Sequence, residues 1–200
     1  MEPYPIVADG LVLDELRLAD VERVRAYCQD PDIRLWTAVP MPYGRADAHE
    51  FITGTQAKGW EDGTELTWAI REPISASTLR LAGTVGLKLD GQGSSEIGFL
   101  LAPDSRGRGL ATVAVRAVVR HALDQYGLKL RRVVWKAVAG NWASRQVAVR
   151  AGFSIEGTIR SEVLLHGRAR DAWVGTVIVG DMAIEDGTWA DIPVQRLPGA

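Results

Sequence analysis

Residues 96–112 read EIGFLLAPDSRGRGLAT, and their interpretation decides the fold. A β-rich run from Ser95 to Leu101 reaches a turn of Pro103, Asp104 and Ser105. A loop of Arg106, Gly107, Arg108 and Gly109 then enters a helix that starts at Leu110 and runs to about Tyr126. In that helix Leu110, Val113, Ala114, Ala117, Val118, His121 and Ala122 form one apolar stripe, and Gly127 stands where a C-cap is expected. A helix start leaves about four backbone N–H groups without partners and carries a partial positive charge. Glycines there let a ligand approach the backbone, and two arginines add charge. The pattern suits a phosphate or pyrophosphate, with a solvated turn as the alternative on local physics alone. It is not a Walker loop, because no lysine is present, nor a dinucleotide fingerprint, because Thr112 stands at the third glycine.

Working outward, short strands precede this segment at Leu66–Arg71 and Leu79–Leu89, and Gly91-Gln92-Gly93 suits a hairpin into the Ser95 strand. Upstream of them lie a strand over Leu11–Leu18, a helix opening at Asp20 and ending at Asp30-Pro31, a proline-rich loop over Arg34–Arg45, and a helix from about Asp47 to Trp60. Downstream come a strand over Arg132–Val138, a short helix over Ala143–Ala151 ended by Gly152, and strands over Phe153–Leu165 and Arg168–Val179 turned by His166-Gly167. The unit at residues 95–138 implies a parallel or splayed pair with a right-handed crossover. Antiparallel hairpins on both sides make the class α+β with a mixed sheet.

The 200 residues favour one domain, expected over 1–180 with a C-terminal tail over 181–200 that holds Trp189 without a clear period. The chain is 46% hydrophobic and 24% charged, ordinary for a folded protein, so disorder and coiled coil are excluded as whole-chain descriptions. The net charge of −2 lacks the basic excess of a dedicated nucleic-acid binder. No apolar run approaches ~18 residues, so no membrane-spanning helix is expected, and the N-terminus does not read as a signal peptide. The expected location is the cytoplasm. Cys28, the one cysteine, supports neither an internal disulfide nor a thiolate metal site, and no two histidines have ligand spacing, so no metal is expected. Edge strands near the C-terminus leave room for a homodimer.

The sequence from Arg106 to Ala111 resembles the Q/R-x-x-G-x-G/A acyl-CoA loop of the GNAT N-acetyltransferase superfamily. EIGFLLAP before it, Asn141-Trp142-Ala143-Ser144 and Ala151-Gly152-Phe153 after it, and LRLAD with DPDIR near the start resemble the branch of ribosomal-protein alanine N-acetyltransferases. The resemblance covers roughly residues 11–180. It implies a mostly antiparallel mixed sheet with a splayed central strand pair, flanked by helices. It also implies acetyl-CoA as co-substrate and a primary amine as acceptor, either a protein N-terminus, a lysine or a small amine. Amides of Arg106, Gly107, Arg108, Gly109, Leu110 and Ala111 would hold the CoA pyrophosphate, and exposed backbone of Phe99, Leu100 and Leu101 would pair with the pantetheine arm. A backbone N–H near Leu100 or Leu101 would polarise the thioester oxygen. Asn141 would meet the pantetheine arm and Ser144 the CoA sulfur, although both residues are also good helix caps. Many superfamily members carry a tyrosine four residues before the Gly-Phe pair; Ala148 stands here, which raises Ser144 as the proton donor.

A base must take a proton from the acceptor ammonium. Glu96, on the strand leading to the loop, is the first candidate, and Glu162 the second. His49 and His121 are weaker; His121 reads as a packed histidine and His166 as a solvated turn residue. Cys28 has no basic neighbour that would make it a nucleophile. Trp36 and Tyr43 sit in the proline-rich loop, which in the family borders the acceptor site. They either line it, favouring a small amine in an aromatic pocket, or pin the loop down. Two alternatives stay open: another donor such as succinyl-CoA, and a non-catalytic acyl-CoA-binding module.

Overall fold

A computed structural model describes residues 1–181, together with the backbone of two short strands at Ile184–Glu185 and Thr188–Trp189. The expected tail lies outside the described residues apart from these pieces. Eight strands form one sheet: β1 (Ile6–Ala8), β2 (Leu11–Asp14), β3 (Glu65–Ser75), β4 (Thr78–Leu89), β5 (Ser94–Leu101), β6 (Arg132–Val138), β7 (Ser154–Leu165) and β8 (Arg168–Ile178). Their spatial order is β1-β2-β3-β4-β5-β6-β8-β7, and β5–β6 is the parallel pair in an otherwise antiparallel sheet. The fold is therefore the mixed α+β architecture expected, with β1 and β7 the outermost strands among the described residues.

The crossover from β5 to β6 is α5 (Leu110–Leu123), whose Ala114, Val115, Val118, Val119 and Ala122 are buried. They pack with Leu13, Trp68, Val85, Ile97, Val133 and Trp135 into the larger core. α5 stops three residues short of the expected Tyr126, because Asp124 turns to an extended conformation. Gly127 is needed nonetheless: a Cβ there would sit 1.9 Å from the His121 carbonyl oxygen. On the opposite face of the sheet, α1 (Val21–Cys28), α2 (Pro31–Trp36) and α3 (Arg45–Glu50) cover a smaller core of Val24, Tyr27, Ile33, Tyr43, Ala48, Leu81 and Ala102. The last helix before the final hairpin is α6 (Trp142–Arg150), and α3 runs through a wide π turn at Phe51–Gln56 into α4 (Ala57–Asp62).

Two elements depart from the sequence reading. β1 pairs with β2 across a turn in which Asp9 and Gly10 both have positive φ, the hairpin signature of an Asp-Gly pair. The Asp30-Pro31 pair ends α1 but also starts α2. Asp30 is the N-cap, its Oδ1 accepting from Ile33 N at 3.2 Å, and Pro31 fills a first-turn position where no N–H is required. The first three residues of the expected proline-rich loop, Arg34 to Trp36, are thus the end of a helix.

Candidate active site

β5 and β6 pair from Ser94↔Arg132 to Ile97↔Trp135 and then part. β5 continues along β4 to Leu101, and β6 continues along β8 to Val138. The edge of Gly98, Phe99, Leu100 and Leu101 that faces β6 is therefore left without a strand partner. Gly83 helps set this up from β4: a Cβ there would come within 2.0 Å of the Leu100 carbonyl oxygen, so the close approach requires glycine. The gap opens into a cleft of about 650 Å³, a size that suits a small-molecule ligand. Phe99, Leu100, Leu101, Lys136, Asn141, Ser144 and Trp36 are among its walls.

At one end of the cleft lies the start of α5. Gly107 and Gly109 have φ of +77° and +80°, and a Cβ at either would meet nothing within 4 Å. Gly109 is the N-cap and offers no side chain to its helix. The first bond within the helix runs from Val113 N to Gly109 O, so the N–H groups of Leu110, Ala111 and Thr112 have no helical acceptor. An open cradle of amides at the positive end of a helix fits a pyrophosphate.

The loop arginines do something the sequence reading did not foresee. Arg106 reaches back to the start of α2, with Nη2 at 2.8 Å from Asp30, Nη1 at 3.2 Å from Asp32 and Nε donating to Leu101 O. Arg108 Nη2 lies 2.5 Å from Glu72 on β3. Glu72 is itself only 2% exposed and accepts from Arg80 and from Ser105 Oγ at 2.8 Å. Burial alone would raise its carboxyl group, but hydrogen bonds from Arg80, Ser105 and Arg108 outweigh that and hold it below the usual carboxylate value. The charges flanking the amide cradle are thus clamps that tie the loop to β3 and α2.

Asn141 caps α6, with Oδ1 accepting from Ser144 N at 3.1 Å. Ser144 Oγ accepts from Trp135 Nε1 at 3.0 Å. A hydroxyl held as acceptor by an indole keeps its own proton available to another group. Ala148 is fully buried, so the position that carries a tyrosine in many superfamily members supplies no group to the cleft.

On the other side of the gap, Lys136 of β6 has Nζ 2.5 Å from Glu162 Oε1 and 3.5 Å from Glu96 Oε2. The first two base candidates therefore converge on one ammonium. The Glu162 hydrogen bond, together with the charges of both carboxylates, raises the Lys136 pKa against the effect of burial. A bulge in β7 aims Glu162 there: Ile159 pairs with Ala172 and Val163 with Arg170, so three residues oppose Asp171. Ser161 at its centre has φ of +57°, and its N–H donates to Asp171 Oδ1 at 3.0 Å.

Residues 10–154 match the acetyltransferase (GNAT) domain family. The chain belongs to the GNAT acetyltransferase family. Among curated relatives, the probable N-acetyltransferase YjcK of Bacillus subtilis (strain 168) is 36% identical over 111 residues, 54% of this chain and 60% of the relative. The ribosomal-protein-serine acetyltransferase of Escherichia coli (strain K12) is 37% identical over 73 residues, 36% of this chain and 40% of the relative. These two matches span about half of the relatives' own lengths. Among solved structures, the microcin C7 self-immunity acetyltransferase MccE, in complex with acetyl-CoA and AMP, superposes with a TM-score of 0.76 at 21% identity. It covers 86% of this chain and 93% of its own, and shows a shared fold.

Within this GNAT domain the remaining candidates separate clearly. Trp36 lines the cleft and lies across from the β6–α6 turn, where a Cβ on Gly140 would come within 3.5 Å of its ring. Tyr43 does not line it; it is packed in the smaller core beside Cys28. That location fits the reading in which it pins the loop. Burial pushes the Cys28 thiol up to about 12, far from a reactive thiolate. His121 contacts Tyr4 OH through Nε2 at 2.7 Å, and burial lowers its pKa, as a packed histidine requires. His49 is exposed on α3. His166 is exposed too, but it is tied down: its Nε2 lies 2.8 Å from Arg34 O, joining the β7–β8 turn to α2. The sequence reading missed Lys136, Glu72 and Asp30 as site residues. Their roles come from partners distant in sequence, and no local signal marks them.

Proposed function

We propose that this GNAT domain, acting as a single unit over residues 1–180, transfers an acetyl group from acetyl-CoA to a primary amine by direct attack in a ternary complex. The observation that carries this reading is the parted β5–β6 pair, with an amide cradle at one end, Lys136 and Ser144 lining the gap, and Glu96 within the paired part of β5 with its carboxylate 3.5 Å from Lys136. Main-chain amides from Gly107 to Ala111 would hold the pyrophosphate, and the free edge of Phe99, Leu100 and Leu101 would pair with the pantetheine arm beside Asn141. Bound acetyl-CoA supplies a thioester carbonyl for the amine nitrogen to attack, with loss of the thiolate.

Glu96 takes a proton from the acceptor ammonium, and the freed lone pair forms the new C–N bond as the C–S bond breaks. A backbone N–H near Leu100 or Leu101 donates to the carbonyl oxygen as charge develops on it. Ser144 gives its proton to the leaving sulfur, and the second proton that the new amide nitrogen loses returns through solvent to the Ser144 oxygen. The place of an acceptor ammonium is suggested by Lys136, whose own ammonium already bridges the two carboxylates. Positioning of two substrates in one gap supplies about 7–11 kcal/mol of the barrier reduction, which explains why so few catalytic side chains are needed.

The test is thiol release from acetyl-CoA in the presence of a mixed panel of N-terminal peptides, lysine peptides and small amines. Amine-dependent release supports the reading. Tight CoA binding without release for any amine overturns it in favour of a binding module.

A further inference from the structure

Eight arginines among the described residues are held in ion pairs. Arg17, Arg23, Arg25, Arg45, Arg71, Arg80, Arg106 and Arg108 are each within ion-pair distance of a carboxylate. Several others are in no ion pair among the described residues, and three of these, Arg34, Arg168 and Arg170, are set at one rim of the acceptor side by their places on α2 and β8. Arg168 and Arg170 lie on β8, two residues apart and hence on one face with Ala172 and Val174. Val174 is opposite Lys136 and Ala172 opposite Val138. This is the face from which Lys136 meets Glu96 and Glu162. Arg34 is on α2, and its carbonyl oxygen is the atom that His166 holds at 2.8 Å. The tip of the β7–β8 hairpin and α2 therefore form one continuous edge. The acidic groups nearest to it are occupied: Glu162 by Lys136, Asp32 by Arg106, and Asp171 by Ser161 N.

Spacing decides what this edge can bind. From Val174, beside Lys136, to Arg170 is four residues, and to Arg168 six, so at strand rise the guanidinium carriers stand about 13 and 20 Å from the gap. A small amine held in the gap reaches neither. An extended peptide has the same rise per residue. With its terminal amine at Glu96 and Lys136, it brings its fifth to seventh side chains to this rim. Resting on the acetyl-transfer reading above, we infer that the acceptor is a protein N-terminus with acidic residues at about the fifth to seventh positions, which Arg170, Arg168 and Arg34 recognise. Burial of Tyr43 points the same way, because it removes one wall of the aromatic pocket that a small amine would need.

The experiment compares kcat/KM for three short N-terminal peptides that share their first residues and carry glutamate, alanine or lysine at positions five to seven, with a small polyamine as a fourth acceptor. The glutamate peptide should exceed the lysine peptide by about tenfold at low salt, with the ratio shrinking as salt is added. The double variant Arg168→Glu, Arg170→Glu should invert that order. Equal kcat/KM for the three peptides overturns the inference, as does a glutamate preference that survives in the double variant. Turnover of the polyamine with no peptide turned over also overturns it, while leaving acetyl transfer standing. Failure of all four acceptors, with CoA still bound, contradicts the acetyl-transfer reading itself.

Discussion

Replacing Glu72 by glutamine tests whether the amide cradle is set from behind. Glu72 is 2% exposed and meets three donors: Ser105 in the turn before the loop, Arg108 within it, and Arg80 on β4. Glutamine keeps the shape and one acceptor oxygen but removes the charge that two guanidinium groups share. A hydrogen bond to a charged group contributes about 1.5–3 kcal/mol. Arg80 and Arg108 are 34% and 49% exposed, so water takes over part of each interaction in the variant. The net loss should be about 2 kcal/mol. For a chain of this size that lowers the melting temperature by about 4–8 °C. If the loop bears most of the loss, its binding-competent fraction falls and CoA affinity drops about tenfold. The carboxylate is held below its ordinary value of 4.5, so its contribution is present above that pH and is lost as pH falls below it. The melting difference between wild type and Glu72→Gln should therefore narrow in acid. Differential scanning calorimetry across pH, with CoA titrations at neutral pH, reads both effects. An unchanged melt with unchanged CoA affinity would refute the role of this carboxylate.

Gly109→Val should weaken CoA binding by at least about tenfold while the domain still folds, because φ of +80° disfavours a β-branched residue and the new methyl groups fill the cradle; calorimetry checks it, and unchanged affinity removes the phosphate-loop assignment. Ser144→Ala should slow turnover more than it weakens CoA binding if the hydroxyl protonates the thiolate, and melts with initial rates on one sample separate this from a purely structural bond to Trp135. Glu96→Gln should cost about 10²–10⁴ in rate as loss of a general base, with a defect that shrinks at high pH where free amine is already available. A rise in acceptor KM with little change in kcat would instead make Glu96 a substrate holder, and wild-type behaviour at every pH would move the base to Glu162 or to a water chain.

The sheet and its parted strand pair were legible because the signals are local. Residues 95–122 hold a strand, a glycine loop and a helix with one apolar stripe, and a crossover between neighbouring strands has few alternatives. Asp30-Pro31 misled because the same pair that stops one helix starts another. The Asp9-Gly10 hairpin was overlooked although its dipeptide is a strong turn signal. In the site, the glycines of the loop were read correctly as open positions, since their conformation is a backbone property. The arginines were not. Whether Arg106 and Arg108 face a ligand or a carboxylate depends on Asp30, Asp32 and Glu72, which the fold brings in from α2 and β3. The Lys136 bridge was hidden for the same reason: its geometry depends on a bulge in β7 whose register no local pattern encodes.

The central claim is that the gap between β5 and β6 passes an acetyl group straight from CoA to an amine. Intact-mass spectrometry of both enzyme and peptide, after incubation with acetyl-CoA and an N-terminal peptide, tests it most directly. Direct transfer places one acetyl group on the terminal nitrogen of the peptide and none on the enzyme, in amounts that match the thiol released. An acetylated enzyme that passes its group on, or a peptide that stays unmodified while the domain is saturated with acetyl-CoA, would contradict it.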